Sequence, residues 1–142
     1  MKTVDKVVAY IVTGERLVVF VHRDVPEAGT QVPAGTVRPG EGLEDAVLRE
    51  AGEETGLEGL RIVAHLGDRV FDARPFGKEE MHRRSFFRLA VDGEVPDTWT
   101  HAELHDGLDP PTWFEFSWMP LAAAEQILVA DQGALIGSLR GL

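Results

Sequence analysis

Glu50, Glu53 and Glu54 stand at positions i, i+3 and i+4 of one segment, a spacing that on a helix brings three carboxylates onto one face within a single turn. Groups so close repel one another unless a cation sits among them, and an all-oxygen donor set suits a hard divalent ion. At about 100° per residue, the three glutamates fall on the side of Leu43, Ala46 and Val47, whereas Glu44, Asp45, Arg49, Gly52 and Thr55 fall on the other. The glutamates are therefore expected to face the protein body, where a carboxylate is costly unless it is paired, hydrogen-bonded or metal-bound. A solvated acidic face is the ordinary alternative for a Glu-rich helix, and the wheel disfavours it. Arg49 can neutralise part of the cluster or orient one carboxylate through its planar fork. Leu48 points to the polar side, so this helix is expected to be covered on both faces.

The elements around the glutamates are legible in outline. Arg38-Pro39-Gly40 is a loop, Gly42 can serve as N-cap, and Glu44 and Asp45 favour the positive end of the helix dipole. The spacing predicts a helix over Leu43–Thr55, with Gly56 as its left-handed stop. A second helix is expected over Leu121–Val129. Lys6–Val12 and Arg16–His22 read as a hairpin across Thr13-Gly14-Glu15, and further strands as Arg61–His65, Arg83–Val91 and Trp113–Trp118. Asp92–Pro111, rich in Gly, Pro and Asp, reads as a long loop. With strands outnumbering helices and no internal repeat or linker, one domain over residues 1–142 is expected, α+β in class, with a mixed sheet flanked by helices.

Gly35, Glu41, Arg49, Glu50, Glu53, Glu54 and Gly56, with apolar Ala51 and Leu57, fill every position of a pattern that resembles the Nudix box. Seven fixed residues at set spacing arise by chance about once in 10^7 starting points. The box covers Gly35 to Leu57, and strand order and length agree with a Nudix domain over the whole chain. The resemblance implies an α/β/α sandwich with a central mixed β-sheet. It also implies hydrolysis of a phosphoanhydride bond in a nucleoside diphosphate linked to another moiety. Implied with it are Mg2+, with Mn2+ as a substitute, held by Glu50, Glu53, Glu54 and a backbone carbonyl at Gly35. Arg49, Glu50 and Glu53 take catalytic roles in this reading, Glu41 and Arg49 steady the loop and helix, and Arg23 contacts substrate phosphate. A glutamate from a later loop serves as general base in some members. Glu79, Glu80, Glu94, Glu103 and Glu115 all qualify here, and Glu79 and Glu80 are preferred because they precede a strand.

Bulk properties narrow the partners. The chain has 142 residues, 24 acidic against 14 basic side chains and a net charge of -10, so nucleic-acid polymers are disfavoured and a small nucleotide-derived substrate needs divalent cations to reverse the field at its phosphates. No cysteine is present, which excludes disulfides, zinc thiolates and a thiol nucleophile, and argues against the prenyl-diphosphate isomerases that resemble this fold. Five histidines lack metal-ligand spacing. No stretch reaches membrane-spanning length and no signal peptide is evident, so a cytoplasmic protein is expected. His82, Arg83 and Arg84 read as charges flanking a strand, with a basic patch for a second phosphate or ribose as the alternative. Trp113, Phe114, Phe116 and Trp118 read as a packing strand. Val32-Pro33-Ala34-Gly35 resembles the approach to the box in sugar-nucleotide and ADP-ribose hydrolases, but nucleotide sugars, dinucleotides and nucleoside triphosphates all stay open. A nucleotide-binding module without catalysis is the alternative function; such modules commonly lose a helix glutamate, and this chain keeps all three. The apolar run Ala134–Leu142 is expected to pack on the domain or a partner, and the resemblance admits a homodimer.

Overall fold

The computed structural model describes residues 1–104 and 110–139. In chain order the elements are β1 (Lys2–Thr13), β2 (Arg16–His22), β3 (Ala34–Thr36), α1 (Leu43–Thr55), β4 (Leu60–Asp72), β5 (Glu80–Val91), β6 (Thr98–Glu103), β7 (Thr112–Pro120) and α2 (Leu121–Ile127). Val7 to Val12 of β1 are buried without alternation, the apolar run of a strand covered on both faces. Strand order is β4-β5-β1-β2-β7-β6, with β3 branching from β1. The β1–β5 pairing is parallel and the others are antiparallel, so the sheet is mixed, as expected.

Alternate residues of β1 serve two cores. Val7, Ala9 and Ile11 pack with Phe20, Phe87, Leu89 and the α1 residues Ala46, Val47 and Ala51. Val8, Tyr10 and Val12 pack on the other face with Phe86, Val32, Ala124 and the turn Ile136–Leu139. Each buried Val, Ile, Leu or Phe among them contributes about 1.5–3 kcal/mol by leaving water, and the result is the three-layer arrangement of the expected α+β class. Polar groups in the second core are satisfied. The Tyr10 hydroxyl donates to Gln132 O at 2.5 Å and accepts from Leu135 N–H at 3.2 Å, while Gln132 Oε1 accepts from Val32 N–H at 2.8 Å. Burial pushes the Tyr10 hydroxyl up, so it stays a donor. These bonds tie the C-terminal segment to β1 and to Val32, just before the box. The expected packing of Ala134–Leu142 is thus met within the domain for 134–139; residues 140–142 lie outside the described residues.

Several boundaries differ from the sequence expectations. β1 begins at Lys2, β5 at Glu80, and α2 stops at Ile127. β4 runs to Asp72, well past His65, with register shifts between Ile62 and Ala64 and between His65 and Gly67. It ends the strand order, and a solvated edge needs no apolar alternation to persist. The larger correction is β6, which lies inside the expected loop Asp92–Pro111. Trp99 stacks on Phe116 with centroids 5.1 Å apart and donates from Nε1 to Thr55 O at 2.9 Å, so one aromatic side chain fixes the strand to β7 and to α1. Residues 105–109 of that loop lie outside the described residues. Among the described residues, no helix is long and apolar enough to cross a membrane.

Candidate active site

α1 spans the expected residues. Gly42 precedes it in an extended conformation, and Gly56 ends it at φ +73° with its N–H bonded to Gly52 O, the left-handed stop that glycine adopts without a Cβ penalty. β6 covers the end of the helix: a Cβ on Gly56 would lie 2.7 Å from His101 Cδ2. Ala46, Val47, Ala51, Glu54 and Thr55 are buried. Thr55, assigned by the wheel to the outer side, is buried because Trp99 and β6 close that side, in line with the expectation of a helix covered on both faces.

The three glutamates divide by environment. Glu54 is 8% exposed, and Oε2 accepts from Ala34 N–H at 2.8 Å. Burial holds its carboxyl well above the ordinary range, and the nearby charges of Glu103, Glu50 and Glu53 push in the same direction. Glu50 is raised too, by burial first, against the opposing pull of Arg49. Glu53 departs from the wheel: its side chain is 55% exposed, because it sits at the rim beside Arg38 and Arg49 rather than under the sheet.

Gly35 explains how Glu50 reaches the sheet edge. A Cβ at Gly35 would lie 2.0 Å from Glu50 Cδ and 2.2 Å from Oε2, so any side chain there collides with the carboxylate. The main chain of β3 supplies the rest. Val37 N–H bonds Asp5 O and Ala9 N–H bonds Pro33 O on either side of the Val7–Gly35 pair. The two-residue period of an antiparallel ladder then commits the Gly35 carbonyl to β1 and turns the groups of Ala34 and Thr36 outward. Ala34 N–H meets Glu54, and Thr36 O accepts from Arg49 at 3.1 Å. The outward carbonyls on this edge are therefore those of Ala34 and Thr36 rather than that of the expected Gly35, and of the two Thr36 O is bonded to Arg49.

Arg49 organises the loop, helix and sheet edge. Its Nε and Nη2 form a fork onto Glu41 at 2.8 and 2.9 Å, and Nη1 reaches Glu50 Oε1 at 2.8 Å and Glu53 Oε2 at 3.5 Å. Glu41 also accepts from Arg38 N–H at 3.0 Å. The Arg49 fork, with that N–H, brings the Glu41 carboxyl down to about 2, and the same bond raises Arg49 further above its ordinary value. Arg49 thus fixes where the Glu50 carboxylate sits.

A cleft of about 410 Å³ opens beside this network, lined in part by Thr36, Arg38, Arg49, Glu50, Glu53 and Glu103. Among the described residues, no three acidic or imidazole groups converge closely enough to cage an ion alone. The donor set nonetheless fits a hard cation. Glu50, Glu53, Glu54 and Glu103 are mutually repelling carboxylates beside an outward carbonyl, and Mg2+ ordinarily keeps several waters and takes substrate oxygens as further ligands.

The remaining candidates separate in space. Glu103 is the downstream glutamate that reaches the cluster, since its charge acts on both Glu50 and Glu54. The signal was present in the alternation Trp99, His101, Glu103, one face of a strand, within a stretch whose glycines and prolines masked it. The preferred Glu79 and Glu80 lie elsewhere: Glu80 opens β5, pairs with His82 at 2.8 Å and Lys2 at 3.9 Å, and the His82 bond holds its carboxyl below the ordinary range. Glu115 lines a different cleft with Thr98 and Ser117. Arg23 stacks over Trp113 at 5.1 Å and lies 3.6 Å from Asp24; among the described residues, no contact joins it to the helix glutamates.

A three-layer domain with a mixed sheet and a glutamate helix behind a glycine edge defines the class, and comparison with solved structures agrees. The chain superposes on the MutT protein from Methanosarcina mazei Go1 with a TM-score of 0.69 at 20% identity, covering 99% of this chain and 97% of that one. It matches the C. elegans Ap4A hydrolase with a TM-score of 0.62 at 21% identity, over 96% of each chain. A UDP-X diphosphatase gives a TM-score of 0.67 at 17% identity over 98% of this chain, which spans 62% of that protein's length. In sequence, the RNA pyrophosphohydrolase of Sphingopyxis alaskensis is 27% identical over 139 residues, 91% of this chain and 80% of that protein. The NUDIX domain family model matches residues 2–136. The chain belongs to the NUDIX domain family.

Proposed function

We propose that this Nudix-type pyrophosphohydrolase cleaves a phosphoanhydride bond in a nucleoside diphosphate-linked substrate with Mg2+, or Mn2+ in its place, held by Glu50, Glu53, Glu54 and the Ala34 carbonyl. The observation that carries the reading is the bare α-carbon of Gly35, which admits the Glu50 carboxylate to the sheet edge where Glu54 already sits. Relatives named for RNA pyrophosphate, UDP-X and Ap4A differ in what lies beyond the anhydride, and their names have in common a phosphoanhydride of a nucleotide. A bound divalent ion would offset charge on the phosphate oxygens and acidify the attacking water.

The protein's part is positioning. Arg49 holds Glu50 at the cleft and, through Glu41, keeps the preceding loop against the helix. Glu103 faces the same cleft from β6 and is the group proposed to take the proton from the attacking water, in place of Glu79 or Glu80. Arg38, at the rim beside Glu53, lines the cleft and is a further cation for a substrate phosphate. Arg23 contacts substrate outside the cluster, stacked on Trp113.

The test is a panel of nucleotide sugars, dinucleotides and nucleoside triphosphates incubated with Mg2+, with phosphate, pyrophosphate and monophosphate products followed. One class is expected to be cleaved, with Glu50→Gln and Glu54→Gln lowering kcat about 100-fold or more. Cleavage that persists in excess chelator would refute the metal assignment, and tight binding without cleavage would make the protein a nucleotide-binding module. Glu103→Gln is expected to lower kcat by about 10^2 to 10^4 and to remove the acidic limb of the pH–rate profile. An unchanged limb would send the search for the base back to the other glutamates.

A further inference from the structure

The face of the sheet opposite α1 carries a second, smaller pocket of about 160 Å³, lined by Lys6, Val8, Ala34, Gly35, His82 and Arg84. Register explains the convergence. Lys6 of β1 pairs with Arg84 of β5 on one side and with Thr36 of β3 on the other, and Val4 pairs with His82. Side chains of Lys6, His82 and Arg84 therefore leave the sheet on the same face. The pocket shares the β3 edge with the glutamate site, since Glu50 meets Gly35 and Glu54 bonds Ala34 from the α1 side.

Arg84 is the unusual member. It is 8% exposed, lies over the Phe71 ring at 3.8 Å and donates to Ala130 O. Among the described residues it makes no ion pair with a carboxylate. Its neighbour Arg83, by contrast, is exposed and paired with Asp5 at 2.9 Å, so of the three basic residues in sequence one flanks the strand in water and two turn inward. Lys6 donates to Thr36 Oγ1 and, among the described residues, has no acidic partner in contact. Glu80, whose charge also acts on Lys6, is bonded to His82 and paired with Lys2. Burial pushes both Lys6 and Arg84 down from their ordinary values, with Lys78 adding to the effect at Lys6, against the opposing charges of Glu80 and Glu50 at Lys6 and of Asp131 at Arg84. A half-buried or buried cation without a carboxylate in contact is costly, and in a chain of net charge -10 acidic partners are not scarce.

We infer that Lys6, His82 and Arg84 form an anion subsite for a phosphate of the substrate beyond the two whose anhydride is cleaved. This rests on the hydrolase reading above and narrows its substrate class to nucleotides with three or more phosphates, or with a phosphate on the ribose, over diphosphates capped by an uncharged sugar. At about 160 Å³ the pocket falls below the roughly 300 Å³ at which sites for drug-sized ligands begin, which suits a phosphate and not a nucleoside. The planar Arg84 fork and the Lys6 ammonium provide charge-assisted donors of the kind phosphate oxygens accept.

Two measurements test this, one of them independent of turnover. In chelator, inorganic tripolyphosphate is expected to raise the melting temperature of the full chain, and Lys6→Gln and Arg84→Lys are each expected to weaken its binding about tenfold. With Mg2+, the ratio of kcat/KM for a nucleoside triphosphate to that for a nucleoside diphosphate sugar is expected to fall about tenfold in Lys6→Gln. A nucleoside 3′-phosphate 5′-diphosphate run in parallel separates a ribose phosphate from a third chain phosphate by which ratio responds. Absence of tripolyphosphate binding to the unaltered chain, or ratios that none of the variants moves, would overturn the subsite. Tripolyphosphate binding that depends on Lys6 in a protein that cleaves nothing would leave the subsite standing and sink the hydrolase reading instead.

Discussion

At the residue scale, Glu54 and Glu41 are two carboxylates pushed in opposite directions. Glu54 is held well above its ordinary value by burial and by neighbouring carboxylates. Below the unfolded value both states carry the proton and nothing is lost; as pH rises past it, the unfolded chain ionises freely while the folded one resists, and stability falls. The metal-free protein at neutral pH is therefore strained at this side chain. Glu54→Gln is expected to melt higher than the unaltered protein in chelator at pH 7 to 8, and no longer to gain from added Mg2+. Glu41 works the other way. Its carboxyl is depressed from 4.5 to about 2 by the Arg49 fork, so its contribution is complete above about pH 4.5 and lost as pH falls toward 2. Glu41→Gln should flatten the melting-temperature profile across that window; a slope unchanged by the substitution would remove Glu41 from the account. The sequence placed Glu50 and Glu54 correctly on the inner face because helical geometry alone decides it. It misplaced Glu53, because the wheel cannot register that the helix face ends at a rim where Arg38 and Arg49 draw the carboxylate outward.

At the element scale, α1 and β3 are held at a separation that only glycine permits. Gly35→Ala forces a Cβ against Glu50, and overpacking of this kind costs about 1–3 kcal/mol; loss of stability in denaturant melts and loss of turnover should appear together. Gly56→Ala is expected to cost at least about 1 kcal/mol, since φ +73° is left-handed and His101 occupies the space. A variant as stable as the original would mean that β6 does not press on the helix end. That strand was the element hidden from sequence reading. Its residues Thr98–Glu103 sit between Gly- and Pro-bearing stretches, and its pairing with β7 and its bond to Thr55 O are long-range facts that local propensity does not carry. α1 was legible to the residue because a cap, a periodic face and a glycine stop all agree within one short segment. The general base, if it is Glu103, was obscured for the same reason as its strand.

At the scale of the whole molecule, the sheet separates two kinds of charge between its faces. The α1 face gathers carboxylates, and the opposite face gathers Lys6, His82 and Arg84, with the β3 edge between them. An overall charge of -10 repels a free polyphosphate, so the proposed binding calls for divalent cations on one side of that edge and for the basic groups on the other. Net charge alone raises the first expectation; the second needs the β1–β5 register, which turns Lys6 and Arg84 to one face. The family assignment rests on a pattern that the sequence displays in full. The central claim is that the α1 glutamates hold a divalent ion beside Gly35. Binding of Mn2+ followed by calorimetry, in the unaltered protein and in Glu54→Gln, tests it most directly. Binding that weakens at least tenfold in the variant is the predicted result, and equal affinity in the two proteins would contradict it.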